Sequence, residues 1–332
     1  MIMEKRPLHR AGRKVSVVGL GTWQFGDGWS HIGEGDARAV LEAAAECGVD
    51  FVDTADVYGD GRSERIVGEF LKDFRASGNE RPTVATKLGR RGPQELAAFT
   101  LDNFRAWTDR SRENLGMDTL DLVQLHTPPD AVFASDAVFD ALDVLVDEGR
   151  IASYGVSVET CDQALSAIAR PNVASVQIIL NVFRRKPLER VLPAAREAGV
   201  GIVARVPLAS GLLSAKFRPD TVFAADDHRA YNRHGEQFDV GETFSGVDYA
   251  TGVAAAAEFA GLVPEGLTPA QLALRWVTQQ DGVTTVIPGA SSVEQARANA
   301  AAGSLAPLPE RLLEQLRELY DRRVRAQVHH RW

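Results

Sequence analysis

Phe51-Val52-Asp53-Thr54-Ala55-Asp56-Val57-Tyr58-Gly59 starts as a short apolar run and finishes as a polar loop. The run extends back to Val49, broken only by Asp50. It terminates in the Asp53 carboxylate, and a phenol and a glycine follow at Tyr58 and Gly59. This is how a buried strand hands over to a loop that carries chemistry. Taken alone, the stretch is better read as an ordinary surface loop that contains an Asp and a Tyr, so the surrounding chain decides.

Upstream, residues 7–21 read as a short hairpin running into a strand, Val15-Ser16-Val17-Val18-Gly19-Leu20, that ends in Gly21-Thr22-Trp23. A helix follows over 34–47, where Ala37, Val40, Leu41 and Ala44 recur at helical spacing and Gly48 supplies the stop. Downstream the same alternation repeats. Strands are predicted at 82–87, 120–125, 151–157, 175–180, 201–206 and 284–287, with helices between them and two more, at 293–301 and 310–326, behind the last. Residues 208–251 interrupt the rhythm with many polar residues and four glycines, and are expected to form a long loop after strand 7. Loops of that length within compact domains usually carry function.

About eight strand–helix units in a chain of 332 residues, with no Pro/Gly/Ser-rich linker, predict a single domain over 1–332. The expected fold is α/β, a (β/α)8 TIM barrel with an N-terminal β-hairpin. A doubly wound open sheet is the competing architecture. It calls for a Gly-rich turn after the first strand, and Gly19-Leu20-Gly21-Thr22-Trp23-Gln24 lacks the final glycine.

Composition narrows the partners. The formal charge of −8, without runs of like charge, excludes the electrostatic footprint of a DNA- or RNA-binding protein. No apolar run approaches a membrane span and the start is too polar for a secretory signal, so a cytoplasmic protein is expected. Cys47 and Cys161 stand far apart without a CxxC or partnered His, which suggests neither a disulfide framework nor a zinc site. Asp56 and Asp60 near Tyr58 are read as solvated loop residues rather than metal ligands, and His228 and His234 have no ligand spacing. No metal is expected.

In a barrel the active site lies at the carboxyl ends of the strands. Those ends carry Asp53, Lys87, His126, Ser157, Gln177 and Arg205. An acid, a lysine and a histidine ending successive strands would converge with Tyr58 on one pocket. A phenol has a pKa of about 10 and donates its proton efficiently near neutrality only with help. A buried ammonium beside it stabilises phenolate, and a carboxylate beside the lysine keeps that ammonium charged. Lys87 and Asp53 supply these parts, and His126 suits polarising a carbonyl. None of these residues is a hydride donor, so the hydride must come from a cofactor.

These residues resemble the aldo-keto reductase superfamily. The likeness rests on Gly21-Thr22-Trp23, Asp53-Thr54-Ala55 with Tyr58-Gly59 and Ser63-Glu64, Thr86-Lys87, Gln124-Leu125-His126, and Gly155-Val156-Ser157. It continues through Gln177 with Asn181, Pro207-Leu208 with Ser210-Gly211-Leu212-Leu213, and Ile287-Pro288-Gly289-Ala290 with Asn299, running in order over about residues 7–305. The resemblance implies NADP(H), in preference to NAD(H), bound without a Rossmann motif, and a small carbonyl or alcohol substrate. It implies that Tyr58 is the proton donor, tuned by Lys87 and Asp53, with His126 orienting the carbonyl. Ser157 and Gln177 would bond the nicotinamide carboxamide. Gly21, Thr22 and Trp23 would also border the cofactor. Pro207, Leu208, Ser210, Gly211 and Leu213 would cover the pyrophosphate. Gly289, Ser291, Ser292, Gln295 and Asn299 would hold the adenosine end, helped by Lys216.

Three positions depart from the commonest pattern. Arg205 stands where a Tyr or Trp usually stacks on the nicotinamide, and stacking by its guanidinium is expected over a structural ion pair. Val158 replaces a frequent Asn. Gly289-Ala290-Ser291-Ser292 lacks the Lys or Arg that many relatives place against the 2′-phosphate, leaving weaker hydroxyl partners with Arg297 nearby. Trp23 is expected to wall the active site, and His329-His330-Arg331-Trp332 to form a frayed tail. Some relatives, such as the β-subunits of potassium channels, keep the cofactor pocket and serve chiefly as partners of other proteins. The intact tetrad favours an enzyme.

Overall fold

A computed structural model describes residues 3–26, 32–76 and 80–332. The chain opens with an antiparallel hairpin, β1 (Lys5–Leu8) and β2 (Arg13–Ser16). Its turn ends at Gly12, whose φ of 64° lies in the left-handed region that glycine enters without strain. Eight parallel strands follow in chain order: β3 (Leu20–Gly21), β4 (Phe51–Asp53), β5 (Thr83–Leu88), β6 (Leu122–His126), β7 (Tyr154–Ser157), β8 (Val173–Ile179), β9 (Gly201–Arg205) and β10 (Val283–Val286). Each hydrogen-bonds the next. The ladder closes on itself where Val286 N–H donates to Val17 O at 3.0 Å, Gly19 N–H to Val286 O at 2.8 Å and Gly21 N–H to Pro288 O at 3.0 Å. This is the expected (β/α)8 barrel.

The strands read as continuous apolar runs because both of their faces are buried. Phe51, Ala85, Leu122, Ala174, Val203 and Ile287 fill the barrel interior, and Leu8 and Val15 of the hairpin pack into the same cluster. The hairpin thus belongs to the interior core. Gly201 makes room for it, since a Cβ there would meet Leu8 at 2.1 Å. The larger core lies between strands and helices. Ala37, Val40, Leu41 and Ala44 all point inward from helix Glu34–Glu46, as their spacing predicts. Two helices start with a capping box, Thr160 with Gln163 and Thr268 with Gln271, which satisfies amide groups that a helix start leaves without partners.

Three elements differ from expectation. The predicted strand 15–20 divides between two sheets: Ser16 ends the hairpin, while Val17 to Gly21 pairs with the barrel's last strand and its extension. The expected loop 208–251 contains short helical turns and ends in a full helix, Tyr249–Ala260. That helix is apolar on nearly every side, so it shows little of the amphipathic period on which sequence reading depends. The tail is not frayed. Trp332 is only 6% exposed, its indole N–H donates to Asp239 Oδ1 at 3.0 Å, and the Arg184 guanidinium sits 3.6 Å above its ring centroid.

Candidate active site

Strand register brings the polar strand ends together. Gly21 pairs with Asp53, Lys87 with Gln124, and Ser157 with both His126 and Gln177. Asp53 and Lys87 are 3% and 1% exposed, yet Lys87 Nζ lies 2.5 Å from Asp53 Oδ2. Lys87 Nζ also donates to Thr54 O at 2.9 Å and to Tyr58 Oη at 3.2 Å. The ammonium is therefore a bridge between the carboxylate and the phenol, and no bond joins Asp53 to Tyr58 directly. The far oxygen of Asp53 accepts from Gln177 Nε2 at 2.7 Å and Gln124 Nε2 at 3.3 Å. Buried carboxylates persist when paired and hydrogen-bonded in this way.

Hydroxyl groups brace the loop between Asp53 and Tyr58. Ser63 Oγ contacts Thr22 Oγ1 at 2.7 Å and Thr54 Oγ1 at 2.9 Å, and Thr86 Oγ1 donates to Glu64 Oε1 at 2.6 Å. The Tyr58 ring meets His126 edge-on at 5.9 Å between centroids and Trp23 at 6.4 Å. Trp23 is an active-site wall, as expected.

Protonation follows from burial and neighbours. Burial pushes the Tyr58 phenol up and Lys87 pulls it back only in part, so the ring keeps its proton to hand on. Burial alone would lower Lys87, but Asp53 and Tyr58 outweigh it and hold the ammonium charged. Burial, with Arg90, Lys87 and Arg205 adding repulsion, drives His126 well below its ordinary value. It is a neutral imidazole at pH 7. Its Nδ1 has no hydrogen-bond partner.

Tyr58, His126 and Asp53 close one end of a cavity of about 680 Å³, a size suited to a bound organic ligand. Of the predicted cofactor residues, Gly21, Thr22, Trp23, Ser157, Gln177, Arg205, Pro207, Leu208, Ser210, Gly211, Lys216, Gly289, Ser291, Gln295 and Asn299 line it. Left-handed backbone at Val206, Ala209, Ser210 and Gly211 folds the segment after β9 into that wall. At Gly211 and Gly289 a Cβ would meet Phe217 at 2.8 Å and Gln24 at 1.9 Å, so the wall is shaped around the absence of side chains there.

Two predicted residues stand elsewhere. Leu213 is fully buried in the core beneath the wall. Ser292 caps helix Val293–Ala301, accepting from Gln295 N–H at 3.3 Å. Neither lines the cavity. Arg297 bonds Glu46 at 2.7 Å on the surface.

Arg205 lines the cavity but makes the ion pair that stacking was expected to displace. Its Nη2 lies 2.9 Å from Glu159 Oε2 and 3.0 Å from Val158 O, and its Nη1 3.6 Å from Glu242 Oε1. Arg90 joins the group, 3.0 Å from Glu242, and bonds Thr127. Burial and mutual repulsion push Glu159 up, against the pull of Arg205, while Arg90 and Arg205 hold Glu242 down despite its burial.

Sequence reasoning missed Glu159, Glu242 and Arg90 because loops distant in the chain bring them together. Gln124 was legible, since it lies two residues before His126 and therefore on the same strand face. Asp56 overturns its reading as a solvated loop residue. It is fully buried, neither carboxylate oxygen has a hydrogen-bond partner, and burial and then Glu64 raise it to about 7. Asp60 does face solvent, paired with Arg91 and Arg110. Among the described residues, no three His, Cys, Asp or Glu stand together as a metal would need, and no helix is long and apolar enough to cross a membrane.

A closed barrel with a Tyr–Lys–Asp–His cluster at its strand ends defines an oxidoreductase of the NAD(P)-dependent barrel class. Residues 17–321 match the model of the Aldo/keto reductase family. The chain belongs to that family. An uncharacterized oxidoreductase of Bacillus subtilis is 30% identical over 320 residues, 95% of either chain. A probable voltage-gated potassium channel subunit beta of Arabidopsis thaliana is 28% identical over 324 residues, 92% of this chain and 93% of its own. The glycerol dehydrogenase of Gluconobacter oxydans superposes with a TM-score of 0.77 at 27% identity, covering 98% of this chain and 97% of that one. An aldo-keto reductase from Klebsiella pneumoniae in complex with NADPH superposes with a TM-score of 0.70 at 25% identity, covering 96% of each.

Proposed function

We propose that this protein reduces an aldehyde or ketone to an alcohol, reversibly, with NADP(H). The observation that carries the reading is Lys87 Nζ held between the Asp53 carboxylate and Tyr58 Oη at the closed end of the cavity. Bound there, the cofactor supplies or accepts the hydride. Tyr58 gives its proton to the developing alkoxide, and Lys87 stabilises the phenolate that this leaves. Asp53 acts on Tyr58 only through Lys87. His126, neutral, is suited to donate a hydrogen bond to the carbonyl oxygen and so orient it. Trp23 excludes water from the same side.

The cavity fits the cofactor in its chemistry. Ser157 and Gln177 offer amide partners, the Pro207 to Gly211 wall offers close backbone approach, and Lys216 and Arg229 put cations on the wall. Those two cations, with Ser291, Gln295 and Asn299, favour a 2′-phosphorylated adenosine over NAD(H). NADPH consumption with a panel of small carbonyls tests the activity, and parallel titration with NADPH and NADH tests the preference. Equal affinities would remove that preference. A cytoplasmic setting fits the two free thiols, Cys47 and Cys161. The likeness to a potassium channel subunit beta supports a second reading, an accessory subunit with little turnover. A stoichiometric protein partner on purification, with no carbonyl turned over, would favour it.

A further inference from the structure

We propose that Arg205 makes this site distinguish the redox state of its cofactor, holding the reduced, neutral nicotinamide more tightly than the oxidised, cationic ring. The inference rests on the reading of the cavity as an NADP(H) site. It concerns this chain's own charge at the wall, which the catalytic steps do not use.

Arg205 ends β9 beside the cavity-lining Ser157 and Gln177 and is 8% exposed. Glu159, Glu242 and the Val158 carbonyl fix its guanidinium from three directions, and its Nε has no partner. A charge so placed acts through protein rather than water, where it is felt more strongly.

The sign of the local field depends on the neighbours. Lys87 and Asp53 form a neutral pair. His126 is uncharged, held down by burial and by the surrounding cations. Two guanidinium groups, Arg90 and Arg205, therefore face two carboxyls that repel one another, and of these Glu159 is pushed up by burial and by Glu242, while Glu242 is held down by the two arginines. Together the four groups present more positive than negative charge at neutral pH. A cationic ring is disfavoured there and a neutral ring is not. The phosphates, riboses and adenine are common to both redox states and cancel from the ratio of affinities. An aromatic residue in place of Arg205 would reverse the preference, because a ring face attracts cations.

Titration of the wild type and of Arg205 variants with NADPH and NADP+, by calorimetry or tryptophan fluorescence, tests this without turnover. The wild type is expected to bind NADPH about tenfold or more tighter than NADP+, which raises the potential of the bound couple by about 30 mV for each tenfold. Arg205→Gln brings the ratio near one, and Arg205→Trp takes it to one or below. Arg205→Lys retains most of it, and Glu242→Gln, which removes a counter-charge, increases it. A merely structural arginine would weaken both forms together and leave the ratio alone, which overturns the proposal. So does a wild-type ratio of one or less, or a fall in the ratio for Glu242→Gln. Absence of binding by either form to the wild type instead overturns the cofactor reading itself, and this inference with it.

Discussion

Replacing Lys87 by Met removes the group that joins Asp53 to Tyr58, and its cost can be worked from the site. Both charged groups are almost wholly buried, with side chains 1% and 4% exposed and 2.5 Å apart. Breaking such a pair leaves a buried carboxylate without a counter-ion, which costs about 3–5 kcal/mol. Asp53 keeps two amide donors, Gln177 and Gln124, so the loss is expected at the lower end, about 3 kcal/mol. With an unfolding entropy of about 2.1 cal/mol/K per residue and 332 residues, the melting temperature should fall by about 4 °C. Thermal denaturation of Lys87→Met, Asp53→Asn and the double variant is the assay. The double variant should lose at least about 2 kcal/mol less than the two single losses summed, since it leaves no unpaired charge. Additive losses, or a Lys87→Met protein as stable as wild type, would refute the bridge.

Asp56→Asn is expected to stabilise the protein at pH 8. The Asp56 carboxyl lies at about 7 in the fold against 3.8 unfolded, so the unfolded chain binds fewer protons between those values, and wild-type stability falls as pH rises through that window. Denaturant melts of wild type and variant should diverge by up to about 4 kcal/mol between pH 4 and pH 8; parallel pH profiles would contradict this. Trp332→Ala should raise KM for the carbonyl severalfold while changing NADPH affinity less than about twofold. The indole holds Asp239, which accepts from Gly241 N–H at 2.7 Å, and so positions the turn that carries Glu242 to the cavity. An unchanged KM would show that the turn holds without it.

The barrel was legible because its strands are buried on both faces and end in polar residues, so apolar runs and their last residues mark elements and site together. Asp53, Lys87 and His126 could be found this way, and Tyr58 followed from its distance past Asp53. Side-chain direction in loops has no such period. Hence Leu213 turned out to point into the core and Ser292 to cap a helix, though both adjoin true wall residues. The partners of Arg205 come from loops after β7 and β9, and Trp332 reaches back across the long insertion to Asp239. Contacts of that sequence separation leave no local pattern to read. Asp56 misled for a related reason: an acid in a loop is usually solvated, and only the packed fold shows that this one is not.

The most direct test of the account is Tyr58→Phe, which deletes one hydroxyl and leaves the ring against Trp23 and His126. NADPH oxidation with the best carbonyl substrate should fall by about a hundredfold to ten-thousandfold, with NADPH affinity and melting temperature close to wild type. Turnover retained within a few-fold would contradict the assignment of Tyr58 as the acid.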